Sequence, residues 1–203
     1  CVAHGSVFIT DFIKKYSKGR YLVAVSLRSN PLFDRERNAA IDAWEQFFTY
    51  CLKRHPDVIF VILGRKSEIA ENLRNLSNVI YAQDYKVNIQ DTLSFIKHSL
   101  FYMAVSSGPA SYAILSEDIP YIIVSFRAPD ISYNYNWFKP GSFLPWQNRE
   151  FQKLIWEKES SELLIKEFED LFGKVDKEKW DIDLNLDDIN ESILEWPYLI
   201  KRK

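Results

Sequence analysis

From Tyr21 onward, short apolar runs alternate with segments whose apolar residues recur every three or four positions. The runs are Tyr21 to Leu27, Val58 to Leu63, Asn78 to Ala82, Leu100 to Val105 and Tyr121 to Phe126. They are continuous and rich in Val, Ile and aromatics, the pattern of parallel strands covered on both faces. Between the first two, Ala40, Trp44, Phe47, Phe48, Cys51 and Leu52 fall on one helical stripe. His55-Pro56-Asp57 ends that helix, because the residue before proline is disfavoured in the α region. Ile69 to Leu76 and Thr92 to His98 supply the next two crossovers. This alternation predicts βαβ units joined by right-handed connections. The expected fold is α/β: a Rossmann-like parallel sheet over residues 21–175 with helices on both faces.

Past Phe126 the pattern changes. Residues 127–149 hold three prolines and six aromatics and read as one long loop. That segment is too aromatic for disorder. Glu150 to Phe172 reads as a long helix, with Leu154, Leu164, Ile165, Phe168 and Leu171 among its apolar positions. An acidic stretch runs from Asp176 to Asp188, and a last helix, Ile189 to Trp196, stops at Pro197. Residues 176–203 are therefore expected to be an acidic stretch and C-terminal helix. Residues 1–20 are expected to be a link to, or remnant of, an N-terminal domain.

Composition removes several classes. The 203 residues are 47% hydrophobic and 15% aromatic, enough to bury a full core. No apolar run approaches the roughly 18 residues of a membrane span. A net charge of −2 gives no global attraction to nucleic acid or anionic lipid. Cys1 and Cys51 are too few for a disulfide framework or a zinc site, which points to a reducing cytoplasm. The chain opens Cys1-Val2-Ala3-His4 without an initiator Met or signal peptide, and reads as part of a longer or processed protein.

Ligands of open parallel sheets bind at the carboxyl ends of the strands. Those ends offer Ser26, Arg28, Ser29 and Asn30, then Gly64, Arg65 and Lys66, then Gln83 and Asp84, and after the fifth run Arg127. With Arg35 and Arg37, six cations gather at one edge of a chain that is net negative, which argues for an anionic ligand. The fourth end is Ser106-Ser107-Gly108-Pro109-Ala110-Ser111. Glycine there suits a tight strand-to-helix turn, and the N–H groups of Ala110, Ser111 and Tyr112 would face a phosphate from a helix start. A polar small-residue turn with no ligand fits the same letters. Other patterns fail: there is no G-x-G-x-x-G after the first strand, and Gly64-Arg65-Lys66-Ser67 lacks the earlier glycine of a P-loop. Asp181-Ile182-Asp183 lies in the acidic tail rather than after a strand, so a solvated surface explains it better than a metal site. His55 and His98, near helix C-termini, read as structural.

Residues 21–126, about half the chain, resemble the C-terminal, nucleotide-sugar-binding half of a GT-B glycosyltransferase. The resemblance rests on four short stretches. They are Val25-Ser26-Leu27-Arg28 with Arg35 and Arg37; Phe60 to Gly64 after Pro56-Asp57; Asn78 to Tyr81; and Ser106 to Ala110 followed by Ile119-Pro120. The last is similar to the Gly-Pro helix start of heptosyltransferase-like enzymes, and the first to the diphosphate-clamping Arg of fucosyltransferase-like ones. By that resemblance Arg28 and the N–H groups beyond Gly108, those of Ala110 and Ser111 among them, would hold the diphosphate. Ser107, Gly108, Arg35 and Arg127 join the expected nucleotide- and phosphate-binding set from their place at or just beyond the strand ends. By the same resemblance Gly64 and the Gln83-Asp84 loop would frame the base. Separately, Tyr135 and Trp137 of the aromatic loop after the fifth strand are expected to stack on sugar or acceptor. The implied activity is sugar transfer from a nucleotide-diphosphate donor to a glycan or lipid-linked acceptor, in surface polysaccharide or glycoconjugate synthesis. The implied setting is the cytoplasm or the inner membrane face, with no transmembrane segment and no nucleic-acid partner. The donor is the substrate, and no separate cofactor or metal is implied. The paired Glu residues of many retaining members are absent, since Glu117 has no partner, which leans toward an inverting mechanism. The catalytic base in such enzymes comes from the other domain, so a missing N-terminal domain or partner subunit is expected. Two alternatives stay open: a nucleotide-sugar epimerase of the same fold, and a noncatalytic sugar- or protein-binding module using Tyr133, Tyr135, Trp137 and Trp146.

Overall fold

The computed structural model describes residues 9, 11–29, 38–65, 70–126, 141–178 and 180. Six strands, β1 (Tyr21–Ser26), β2 (Val58–Leu63), β3 (Val79–Tyr81), β4 (Phe101–Val105), β5 (Tyr121–Val124) and β6 (Gln152–Leu154), form one sheet in the order β3-β2-β1-β4-β5-β6. Every pairing is parallel, with Tyr21 opposite Val58, Val23 opposite Phe101 and Tyr102 opposite Tyr121. This is the doubly wound Rossmann-like order, in which the chain leaves β1 in one direction and returns past it to β4 in the other.

Burial on both faces explains the continuous apolar runs. All six residues of β2 and all five of β4 are buried. Two helices, α1 (Ile41–Arg54) and α4 (Ser161–Lys174), cover one face; α2 (Ile89–His98) and α3 (Gly108–Ile114) cover the other. On the first face Phe47, Phe60 and Phe168 meet in edge-on and tilted contacts at 5.4–6.0 Å between centroids. Such pairs add roughly 0.5–1.5 kcal/mol each beyond the area they bury. On the second face a helical turn ending in Ile13–Ser17 packs Phe12 against Phe95 at 4.9 Å. Ile9, Phe12 and Ile13 thus contribute to this domain's own core. No helix among the described residues is long and apolar enough to cross a membrane.

Two elements differ from the sequence expectation. The span from Glu150 to Phe172 is not one helix: it holds edge strand β6, a loop, and α4 starting at Ser161. Ser160 caps α4 by accepting from the Leu163 N–H at 3.2 Å, which fixes the late start. Gln152 is the reason β6 stays extended. Its buried amide donates to the carbonyls of Ser116 and Ile119 while its oxygen accepts from the Asn148 N–H. The other difference is the second crossover, where residues 71–75 form a short 3-10 turn in place of an α-helix.

Candidate ligand-binding site

Where the strand order reverses, between β1 and β4, the carboxyl edge of the sheet opens into a cleft of about 470 Å³. Three strand ends build its floor and near wall: Ser26, Leu27 and Arg28 after β1, Leu63, Gly64 and Arg65 after β2, and Ser107, Gly108 and Pro109 after β4. The far wall is Gln83, Val87, Asn88, Ile89 and Thr92 at the start of α2. Arg28 and Arg65 are the charged residues among these, and none of the described lining residues is Asp or Glu. The described lining residues therefore carry positive charge alone.

The two helices that start here differ in how their first N–H groups are used. Asn88 accepts from the N–H groups of Gln90 and Asp91, and Asp91 accepts in turn from the Asn88 N–H. This capping box takes up the Gln90 and Asp91 N–H groups at the start of α2. At α3, Ser107 occupies the cap position but its side chain makes no capping bond. Its hydroxyl is buried without a completed hydrogen bond, as are those of Ser26 and Tyr102. Burial pushes the Tyr102 phenol pKa far above its ordinary value, and the neighbouring Ser26 and Ser107 hydroxyls pull it partly back. The phenol is therefore protonated across the ordinary pH range and can donate.

Of the expected site residues, Arg28, Gly64, Gln83, Ser107 and Gly108 come together around this cleft. Asp84 points elsewhere. Its carboxylate receives two bonds from Arg74, at 2.7 and 3.1 Å, and Arg74 also lies over the Tyr81 ring. Ala110 is buried in the core and Ser111 is exposed, and neither lines the cleft. Gly108 also departs from expectation, since its φ is not positive and a Cβ built on it meets no atom within 4 Å. The turn itself therefore does not require glycine. Trp146 is fixed away from the cleft, donating from Nε1 to the Ile114 carbonyl at the far end of α3. Arg35, Arg37, Lys66, Arg127, Tyr133, Tyr135, Trp137, Asp181 and Asp183 lie outside the described residues, as does the segment Ile189 to Trp196.

Both histidines near helix ends have structural partners or positions. His55 Nε2 lies 2.8 Å from Glu169, which also accepts from the Tyr50 hydroxyl, and its ring packs on Phe168 and Phe172. His98 ends α2, and its carbonyl accepts from Trp180. Burial, reinforced by Glu169, pushes the Cys51 thiol well above its ordinary range, which favours the protonated thiol in the core.

Glu159 is buried, and no sequence motif marks it. Its carboxylate accepts from the Ala40 N–H at 2.6 Å and from the Ser125 hydroxyl, joining the start of α1 to the end of β5. Ser125 holds a left-handed φ of 48° at that junction. With Ala39 N–H bound to the Arg28 carbonyl at 2.8 Å, this contact anchors the chain on both sides of residues 30–37. Comparison with family models, with curated proteins and with solved structures finds no match for this chain. The functional reading therefore rests on the cleft.

Proposed function

We propose that this domain binds a nucleotide-diphosphate sugar in the switch-point cleft and serves as the donor-binding part of an inverting, metal-independent glycosyltransferase. The acceptor is a glycan or lipid-linked sugar, and the setting is surface polysaccharide or glycoconjugate synthesis. One observation carries the reading: a cleft at the β1/β4 reversal, lined by Arg28, Arg65, Ser26 and Ser107 and by no described carboxylate. A planar guanidinium at the floor suits two neighbouring phosphate oxygens. The volume falls within the range of small-molecule sites, roughly 300–1,000 Å³. Gly64, Gln83, Val87 and exposed Ile89 offer the mixed polar and apolar wall that a base needs.

The chemistry assigned to this chain is binding and orientation. Transfer needs a general base beside the acceptor hydroxyl, and no described carboxylate or His lines this cleft. That base is assigned to a second domain or subunit. A thermal-shift panel of UDP, GDP, ADP, CDP and their sugars tests the reading. A rise in melting temperature for one nucleotide family supports it, and no response to any of them overturns it. Sugar release or epimerisation without an acceptor would move the assignment to an epimerase.

A further inference from the structure

The floor of the cleft carries more hydroxyl protons than the protein uses. Ser26 is 2% exposed and Tyr102 is fully buried, while Ser107 is partly buried, and the hydroxyl oxygens of all three are shielded from solvent. Strand pairing explains their convergence. Tyr102 on β4 stands opposite Ala24 on β1, and Ser26 stands opposite Ala104. These four share one sheet face by the two-residue alternation of strands, and all but Ser26 belong to one buried apolar cluster. The small residues Ala24 and Ala104 leave room for the phenol to extend toward Ser26 and Ser107, which line the cleft. If the phenol donates to one serine oxygen, one of the three hydroxyl protons is used internally and the two serine protons remain to be donated outward. Leaving a buried hydroxyl unsatisfied is unfavourable, and natural sequences rarely keep one without a reason. A phenylalanine would fill the same space as Tyr102 at no such cost.

Resting on the nucleotide-diphosphate reading, we propose that Ser26, Tyr102 and Ser107 form an oxyanion-binding floor for a phosphoryl oxygen of the ligand. Ser26 and Ser107 donate to that oxygen. Tyr102 is a positioning residue beneath them, donating to a serine oxygen so that the serine proton turns toward the cleft. No bond is made or broken in this step.

The test compares wild type with Tyr102→Phe, Ser26→Ala and Ser107→Ala, using inorganic pyrophosphate and the nucleoside diphosphate selected by the panel. Calorimetry gives affinity and chemical denaturation gives stability. Tyr102→Phe is expected to weaken both probes roughly 3- to 10-fold, the scale of one lost hydrogen bond, with stability unchanged or raised. Tyr102→Phe added to Ser26→Ala and Ser107→Ala is expected to cost nothing further, because members of one network are non-additive. A phenol that serves packing alone would change stability and leave affinity unaltered. Wild-type binding of the nucleoside diphosphate with unchanged affinity in all three variants overturns the floor and leaves the nucleotide reading standing. Binding of pyrophosphate alone, weakened in the variants, supports the floor and overturns the nucleotide reading. Binding of neither probe overturns both.

Discussion

Replacing Gly108 separates a ligand contact from a structural turn. A Cβ at this position meets no atom within 4 Å, the residue is exposed, and its backbone lies where any L-residue can sit. Gly108→Ala removes chain freedom from the unfolded state, which is worth about 0.4–1 kcal/mol of added stability at a compatible site. For a chain of 203 residues that raises the melting temperature by about 1–4 °C. Gly108→Val returns a few tenths of that through the helix preference of a β-branched residue, and the sheet stays folded. Affinity is expected to move the other way. Gly108 lies between Ser107 and Pro109 on the cleft wall, so a methyl there occupies space that a phosphate oxygen would use. Loss of one close contact is expected to lower affinity about tenfold for Ala, or ~1.4 kcal/mol, and to abolish measurable binding for Val. Thermal melts and calorimetric titration with the cognate nucleoside diphosphate read the two effects separately. Full affinity in a folded Gly108→Val protein would refute the contact. A fall in melting temperature with unchanged affinity would make the position structural.

Three further outcomes are expected. Glu159→Ala leaves the Ala40 N–H and the Ser125 hydroxyl without their acceptor and should cost about 2–4 kcal/mol in urea unfolding, with Glu159→Gln near half of that; wild-type stability in Glu159→Ala would show that the carboxylate is not the clamp. Asp170 is held at about 2, below its ordinary 3.8, first by the Lys153 ammonium and then by Lys174. A depressed carboxylate contributes stability that is present above about pH 4 and is lost as pH falls toward 2. The effect is small because the pair is partly exposed, and Asp170→Asn should flatten that acid limb; identical acid titrations of the two proteins would contradict it. Nucleotide binding should survive excess EDTA, since guanidinium and hydroxyl donors supply the charge complement, and loss restored by Mg²⁺ or Mn²⁺ would require carboxylate ligands.

The parts of the fold legible in the sequence were those written in apolar periodicity. Val58 to Leu63 matches β2 at both ends, and Leu100 to Val105 differs from β4 by one residue. β6 was missed because a three-residue edge strand is too short to show a period, and Gln152, which holds it in place, reads as an ordinary polar letter. The start of α2 was legible in principle: Asn88 followed by Asp91 is a capping-box spacing, and the helix begins at Ile89 rather than Thr92. In the site, Arg28, Gly64, Gln83, Ser107 and Gly108 followed from a topological rule about strand ends. Asp84 did not fit, because Arg74, ten residues upstream, claims it across two 3-10 turns. Tyr102 was hidden for a different reason. Inside an apolar run its ring is indistinguishable from core, and only the parallel register beside Ala24 and Ala104 shows where its hydroxyl ends.

The most direct test of the central claim is calorimetric titration of wild type, Arg28→Lys and Arg28→Ala with one nucleoside diphosphate and with the matching uncharged nucleoside. Arg28 lines the cleft at the end of β1, and a fork of aligned donors is what Lys cannot reproduce. The account predicts that wild type binds the diphosphate far more tightly than the nucleoside. Arg28→Ala should lose roughly 1.5–3 kcal/mol for the diphosphate, Arg28→Lys should fail to recover it fully, and nucleoside affinity should not change. Equal diphosphate affinity in all three folded proteins would contradict the account.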